Sequence, residues 1–363
     1  MLALLALLAT PADAGAGHKQ RMAEKHQAKY KPYTSKKYTI NAATYCSPFT
    51  MRYLTFLPRE EVLVFHHGQG YIARPPSGCQ AKHAERHAVS YVRPFRAATW
   101  RNETVGAPAL GLADDMMNNY AVTKTPAGFV AIGGGVFLWA NHSGNEAFVK
   151  VMHKPSWGAR WSAPRPLFGV KHPGCVDARI HGYCEYDGKL SPAAVNASHF
   201  RVYARANMAT HGGRHVVTAL CSHHACEPFS LVQVADYALK GSNNIYFMCV
   251  EFVDDSFVGY APMVEQGEAY IGLSTSRDGV SWTAWARVAT SERDVDSGKH
   301  NYRNRAIDQP VCGMLRRDGR TTLYVQREVA GIYAPGQDCC RKPLTRLEAV
   351  DVTATLAAMS TPG

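Results

Sequence analysis

From Tyr38 onward the chain alternates short β-forming runs with clusters of turn residues, and nowhere does it keep helical apolar spacing through three turns. Alternating or continuous apolar runs at 51–57, 61–65, 128–132, 200–204, 215–220, 270–273 and 322–326 each predict a strand. A long chain made of short strands builds a large sandwich, a solenoid or a propeller, and internal repetition decides between them.

The repetition lies in layout more than in identity. Four times a polar patch leads into an apolar strand, a turn and a second strand: Asp114 to Val122 before Phe129 to Ile132, Cys184 to Gly188 before Phe200 to Arg205, Asn243 to Phe247 before Phe257 to Tyr260, and Asp308 to Cys312 before Thr322 to Val325. An N-terminal unit from Tyr45 to Trp100 makes a fifth. The expected fold is therefore all-β, a five-bladed β-propeller of four-stranded antiparallel blades, in which ring closure removes most exposed sheet edges.

One turn has a sharper signature. Ser276-Arg277-Asp278-Gly279-Val280-Ser281-Trp282 puts an Asp-Gly turn between a β run and an aromatic, so that the carboxylate caps the turn and Trp282 packs between blades. Together with Gly111-Leu112, Asn118-Asn119, Tyr203-Ala204-Arg205 and Asn244-Ile245-Tyr246, it resembles the five-bladed glycoside hydrolase clan, distantly families 32 and 43 and most nearly their uncharacterised members. The resemblance covers the stretches 110–135 and 184–329, and it implies a propeller that handles carbohydrate. The acid triad of the well-studied families does not carry over residue by residue, because the N-terminal unit has no Asp at its first strand.

The compartment is read from three features. Residues 1–16, with an apolar run from Leu2 to Ala9, a Thr10-Pro11 breaker and small residues after it, have the layout of a cleavable signal peptide, too short to span a bilayer. Ten cysteines, an even number, suit an oxidising, extracellular location, and the near pairs Cys175 with Cys184 and Cys221 with Cys226 are expected to bridge. Asn102, Asn141 and Asn196 each head an N-glycosylation sequon in a predicted loop.

The 363 residues carry a net charge of +11, with 46% hydrophobic and 19% charged side chains, which is ordinary for a globular body. Much of the excess sits in residues 17–37, where Lys19, Arg21, Lys25, Lys29, Lys31, Lys36 and Lys37 face Glu24 alone. That segment reads as a flexible basic arm, followed by the propeller at 38–358 and a tail at 359–363.

In a propeller the innermost strands line the central channel, so polar residues at their beginnings converge although they are distant in sequence. Cleavage of a glycosidic bond needs one protonated and one ionised carboxyl group flanking it. The candidates are Asp115 as base or nucleophile and Glu185 or Glu251 as acid, with Asp308 as a further carboxylate; Asn119, Arg205, Asn244 and Arg305 are candidate substrate binders. Asp187-Gly188 fits a turn as well as a site. The Cys221-Ser222-His223-His224-Ala225-Cys226 run is too compact for a structural zinc site and fits a disulfide-closed hairpin. The chain has no Walker loop, zinc-protease helix or Gly-x-Ser-x-Gly elbow, and Gly133-Gly134-Gly135 opens no helical pattern, so no metal, cofactor or nucleic acid is expected. The expected partner is an oligo- or polysaccharide, acidic or sulfated given the basic charge. Three function classes stay open: a secreted glycoside hydrolase, a lectin-like binder without catalysis, and a structural or adhesion protein of the cell surface.

Overall fold

The computed structural model describes residues 51–57, 62–67, 89–92, 120–133, 148–156, 158–169, 172–174, 186, 188–207, 214–238, 243–294, 305–327 and 347–360. Asp115, Asn119, Glu185, Cys175, Cys184, Asn102, Asn141, the 1–16 segment and the basic arm lie outside them.

The described residues are β throughout, apart from one short helix. Strands β1 (Met51–Leu57), β2 (Val62–His67) and β3 (Val89–Val92) form a three-stranded antiparallel sheet. The first blade is the meander β4 (Ala121–Thr125), β5 (Gly128–Gly133), β6 (Phe148–Lys154) and β7 (Arg165–Gly169). The second is β8 (Ser191–Ala194), β9 (His199–Asn207), β10 (Arg214–Ser222) and β11 (Ser230–Leu231). A connecting strand, β12 (Gln233–Val234), follows it. In the third blade β13 (Asn244–Ile245) and β14 (Cys249–Val253) share one edge of β15 (Ser256–Glu265), whose other edge carries β16 (Glu268–Ser276); beyond the short β17 (Ser281–Trp282), β18 (Ala286–Ser291) completes the sheet. The pair β19 (Arg293–Asp294) and β20 (Arg305–Ala306) leads to the fourth blade, in which β21 (Gln309–Pro310) and β22 (Leu315–Arg317) line one edge of β23 (Arg320–Gln326) and β24 (Leu347–Asp351) the other. Helix α1 (Thr353–Ser360) closes the described chain.

This is a β-propeller arrangement. Within each sheet spatial order follows sequence order, and the N-terminal edge of one sheet lies beside that of the next: β1 beside β4, β4 beside β8, and β8 beside β14. The expectation of five four-stranded blades is corrected to four among the described residues. The N-terminal unit has the length that four strands need, but its described residues form only the three strands β1 to β3.

Strand parity fills the space between blades. Along β9, Phe200, Val202, Ala204 and Ala206 belong to the core shared with the first blade, while Tyr203 belongs to the core shared with the third. Along β15, Phe257, Ala261 and Met263 join that same second-to-third core, and Val258 and Tyr260 join the core toward the fourth blade. Trp282 is buried between the second and third blades, and Gly259 makes room for it. A Cβ at Gly259 would stand 2.1 Å from Met248 Cε and 2.6 Å from Trp282 Cζ3.

The Asp278-Gly279 turn locks this interface. Asp278 Oδ1 accepts from the backbone N–H groups of Val280 and Ser281, both at 2.7 Å, and from Ser276 Oγ at 3.0 Å. Partial burial opposes ionisation, but these donors outweigh it and hold the carboxyl down at about 2. Gly279 has φ +76°, a left-handed conformation that suits glycine, and β17 pairs in parallel with β12 to stitch the second blade to the third.

Candidate functional site

The leading ends of the inner strands carry the polar patches read from the sequence. Lys189 precedes β8, Asn244 opens β13, Arg305 opens β20 and Asp308 precedes β21. Two of these segments, those of Asn244 and Arg305, meet the end of β9 and the start of β10 at one ring. The guanidinium carbons of Arg205, Arg214 and Arg305 lie 5.4, 5.1 and 5.2 Å from the centroid of Tyr246, and Arg305 Nη1 donates to the Tyr246 hydroxyl at 3.0 Å.

Local geometry explains the convergence. Arg205 pairs with Val216 and Arg214 with Asn207, so the two arginines are diagonal neighbours on one face of the β9–β10 pair. The Tyr246 N–H donates to the Pro262 carbonyl at 3.1 Å, which continues the β13 ladder and holds the ring at the inner edge of the third blade. Arg305 comes from the opposite side, where Ala306 packs with Val264 and Ala269. Arg205 and Arg214 are buried, and Asn244 is fully buried. Gly188 lies against Arg205: a Cβ there would be 3.0 Å from Arg205 Cβ and 3.1 Å from its Nε. Beside it Lys189 is fully buried, and that burial holds its ammonium well below the ordinary lysine range.

Of the expected substrate binders, Arg205 and Arg305 therefore meet around Tyr246, and Asn244 lies two residues before that ring. Arg214 was missed. Its signal was available, since antiparallel pairing of two adjoining strands returns a residue near the start of the second to the end of the first.

The carboxylates are distributed differently. Glu251 pairs with Val258 and Asn244 with Val264, so about 20 Å of β15 separates them. The Glu251 carboxylate ties the third blade to the fourth: Oε1 accepts from the Tyr260 hydroxyl at 2.8 Å and from the Met314 N–H at 2.7 Å, and Oε2 pairs with Arg316 at 2.9 Å. The Tyr260 hydroxyl in turn accepts from the Gly313 N–H. Asp308 is buried and pairs with Arg327 Nη1 at 2.9 Å, while Arg327 also forks onto Glu348 at 2.9 and 3.1 Å and donates to the Thr290 carbonyl at 2.6 Å.

Cys221 and Cys226 form a disulfide within the hairpin that ends β10. His223 of that hairpin faces His153, with ring centroids 4.9 Å apart. A second bridge, Cys249 to Cys312, joins β14 to the segment after β21. Spacing in sequence gave no hint of this pairing; position did, because each cysteine follows the polar patch of adjacent blades. Asn196 is exposed in the β8–β9 turn, where its Oδ1 accepts from the N–H groups of Ser198 and His199, both at 2.9 Å. Among the described residues, no group of three or more His, Cys, Asp or Glu side chains could hold a metal ion, and no helix is long and apolar enough to cross a membrane.

No protein-family profile matches the sequence, and no curated protein matches it. Solved structures do. The fold is similar to that of an α-L-arabinofuranosidase from Podospora anserina in complex with cellotriose, at 11% identity over 87% of this chain and 92% of that one with a TM-score of 0.46. It is also similar to an endo-arabinase from Bacteroides thetaiotaomicron, at 12% identity over 85% of this chain and 97% of that one with a TM-score of 0.43. An α-L-arabinanase from Cellvibrio cellulosa complexed with arabinohexaose matches at 12% identity over 65% of this chain and 70% of that one with a TM-score of 0.41. The chain thus resembles β-propeller glycoside hydrolases, at identities that concern architecture alone.

Proposed function

We propose that the protein is a secreted, carbohydrate-active propeller that engages an oligo- or polysaccharide, acidic or sulfated, at the leading end of its inner strands. The observation that carries this reading is the gathering of Arg205, Arg214 and Arg305 around Tyr246, beside Asn244, from segments far apart in sequence. A site assembled from the starts of several inner strands is what channel chemistry in a propeller requires.

For catalysis the reading assigns hydrolysis of a glycosidic bond to Asp115 as base or nucleophile and Glu185 as general acid, both in the polar patches that precede inner strands. Glu251 takes the part of an inter-blade tie, and Asp308 pairs with Arg327 within the fourth blade. The experiment is turnover of soluble polysaccharides, neutral and sulfated, by wild type, Asp115→Asn and Glu185→Gln. Each amide is expected to lower turnover by about 10² to 10⁴. Unchanged turnover in Asp115→Asn removes the catalytic assignment.

A binder without catalysis is the second reading. It is favoured by one observation: both acid candidates among the described residues are paired with arginines, Glu251 with Arg316 and Asp308 with Arg327. Retained binding on a glycan array with no turnover in wild type selects it.

A further inference from the structure

We propose that the hairpin Ser222-His223-His224-Ala225 of the second blade and the β6–β7 edge of the first form an acid-released latch, closed while the imidazoles of His223 and His224 are neutral and opened when they take up protons. The latch stands apart from the glycan reading and uses none of its residues.

The hairpin is stiff, and it points at the neighbouring blade. The Cys221–Cys226 disulfide closes it, and Ser222 Oγ accepts from the N–H groups of His224 at 3.1 Å and Ala225 at 3.3 Å. From this turn the His223 ring packs near Phe200, with ring centroids 6.0 Å apart, and beside His153 of β6, with centroids 4.9 Å apart. Arg165 of β7 donates from Nη2 to the His223 carbonyl at 3.1 Å and from Nη1 to His224 Nδ1 at 3.4 Å.

Three of these contacts need neutral rings. A guanidinium can only donate, so His224 Nδ1 must accept, and an imidazolium has no acceptor. His223 Nδ1 is shielded from solvent and has no hydrogen-bond partner. In the neutral ring that atom is a bare lone pair, whereas protonation puts an N–H there with nothing to receive it, and a buried unpaired donor is costly. His153 and His223, once both charged, also repel at short range. Only the Arg165 contact to the His223 carbonyl is indifferent to pH.

The surroundings offer no compensating charge. The charged groups that face His223 are His153 from β6, Arg165 from β7 and His224 from its own turn, all of one sign. Lys154, next on β6, lies over the rings of Phe129 and Trp161, and His199, opposite Ser222 on β9, contacts Asn196 and Ser198. Glu227 is exposed at the base of the hairpin, and among the described residues no carboxylate pairs with Arg165, His153, His223 or His224. Burial first, and then those neighbouring charges, hold His223 below the ordinary histidine range. A histidine lowered in the docked state is protonated more readily in the released one, so the latch is fully closed above the free value of about 6.5 and weakens as pH falls below it. The base of the hairpin stays in place: His172 Nε2 donates to the Glu227 carbonyl at 2.8 Å, which either protonation state of that ring allows, and the Phe229 N–H donates to the Pro173 carbonyl at 2.8 Å. Opening is therefore local to the tip and the edge it rests on.

The test is amide hydrogen exchange of the full-length protein at about pH 7.5 and about pH 5, corrected for the intrinsic pH dependence of exchange. In wild type, protection of 158–169 and 221–227 is expected to fall at least about tenfold at the lower pH while that of 256–276 in the third blade stays within about twofold. The double variant His223→Phe with His224→Gln keeps a ring over Phe200 and an acceptor for Arg165 but titrates at neither position. Its seam is expected to hold its protection within about twofold between the two pH values. Unchanged protection of the seam in wild type overturns the latch, as does an equal loss in all three segments or a local loss that persists in the double variant. If that variant does not fold, the contrast between segments in wild type decides the matter.

Discussion

The Tyr203 hydroxyl, on the second strand of the second blade, donates at 3.1 Å to the carbonyl of Gly279, in the turn of the third. The same carbonyl accepts from Trp282 Nε1 at 3.2 Å. One backbone oxygen thus receives a donor from each blade, in the middle of a buried interface, and the Asp-Gly turn is fixed from both sides.

Removing that donor should weaken the interface modestly. Tyr203→Phe leaves the Gly279 carbonyl with Trp282 as partner, so a loss of about 1 kcal/mol is expected in urea unfolding. Gly279→Ala should cost more, about 2 kcal/mol or above, since φ is positive and the new Cβ would come within 2.6 Å of Arg201 Cδ and 2.7 Å of the Tyr203 hydroxyl. An alanine variant as stable as wild type would contradict the turn geometry.

The third blade should likewise refuse a methyl group at Gly259. The ring of Trp282 and the end of Met248 occupy that space, and overpacking of this kind costs about 1–3 kcal/mol. Thermal unfolding of Gly259→Ala measures it. A cost near zero would mean that Trp282 does not sit across the strand.

Glu251 should behave as a tie between blades. Glu251→Gln loses the Arg316 pair and weakens acceptance from Tyr260 and Met314, so a destabilisation of about 1–3 kcal/mol is expected. Glycan binding or turnover per folded molecule should stay at the wild-type value. A large fall in turnover at unchanged stability would return Glu251 to the list of catalysts.

Two disulfides should differ in worth. Cys249 and Cys312 are 63 residues apart and Cys221 and Cys226 only 5, and the chain entropy removed from the unfolded state grows with loop length. Replacing the long-range pair by serines should cost about 4 kcal/mol, against about 2 kcal/mol for the hairpin pair. Comparable losses from the two double variants would rule out this ordering.

Stability should fall in two separate acid windows. Burial pushes His215 down to about 4, so the unfolded chain takes up its proton first as pH falls. Stability from this residue is complete above the unfolded value of about 6.5 and is lost progressively down to about pH 4, by a total of about 3 kcal/mol. Asp278, held at about 2, contributes above the unfolded value of about 3.9 and is lost as pH falls toward 2. Urea midpoints from pH 7.5 to 3 check the first window, and His215→Leu should flatten the slope there. An unchanged slope in that variant would exclude His215 as its source.

Much of the blade pattern was legible because it is local. The runs at 128–132, 200–204, 215–220, 270–273 and 322–326 form parts of β5, β9, β10, β16 and β23, since period-two alternation depends only on near neighbours. The Asp-Gly turn was legible for the same reason, as its hydrogen bonds span a few residues. The N-terminal unit shows where this stops. Its described residues form the three strands β1 to β3, and which strand lies beside which is not carried by length.

The candidate site was legible as a set of positions and not as a set of neighbours. Sequence picked out Arg205, Asn244 and Arg305 as candidate substrate binders, and the two arginines among them meet at Tyr246. It grouped Glu251 with them as well, although that carboxylate stands far down β15 and faces Arg316.

By itself, then, the sequence determined strand character, turn chemistry and the recurrence of polar patches, all of which arise from interactions between residues close in the chain. Only the tertiary structure decided how many four-stranded blades form, that Cys249 meets Cys312, and which side chains share the ring of Tyr246. Those outcomes depend on the register of strands across blades, where a shift of one residue turns a side chain to the opposite face.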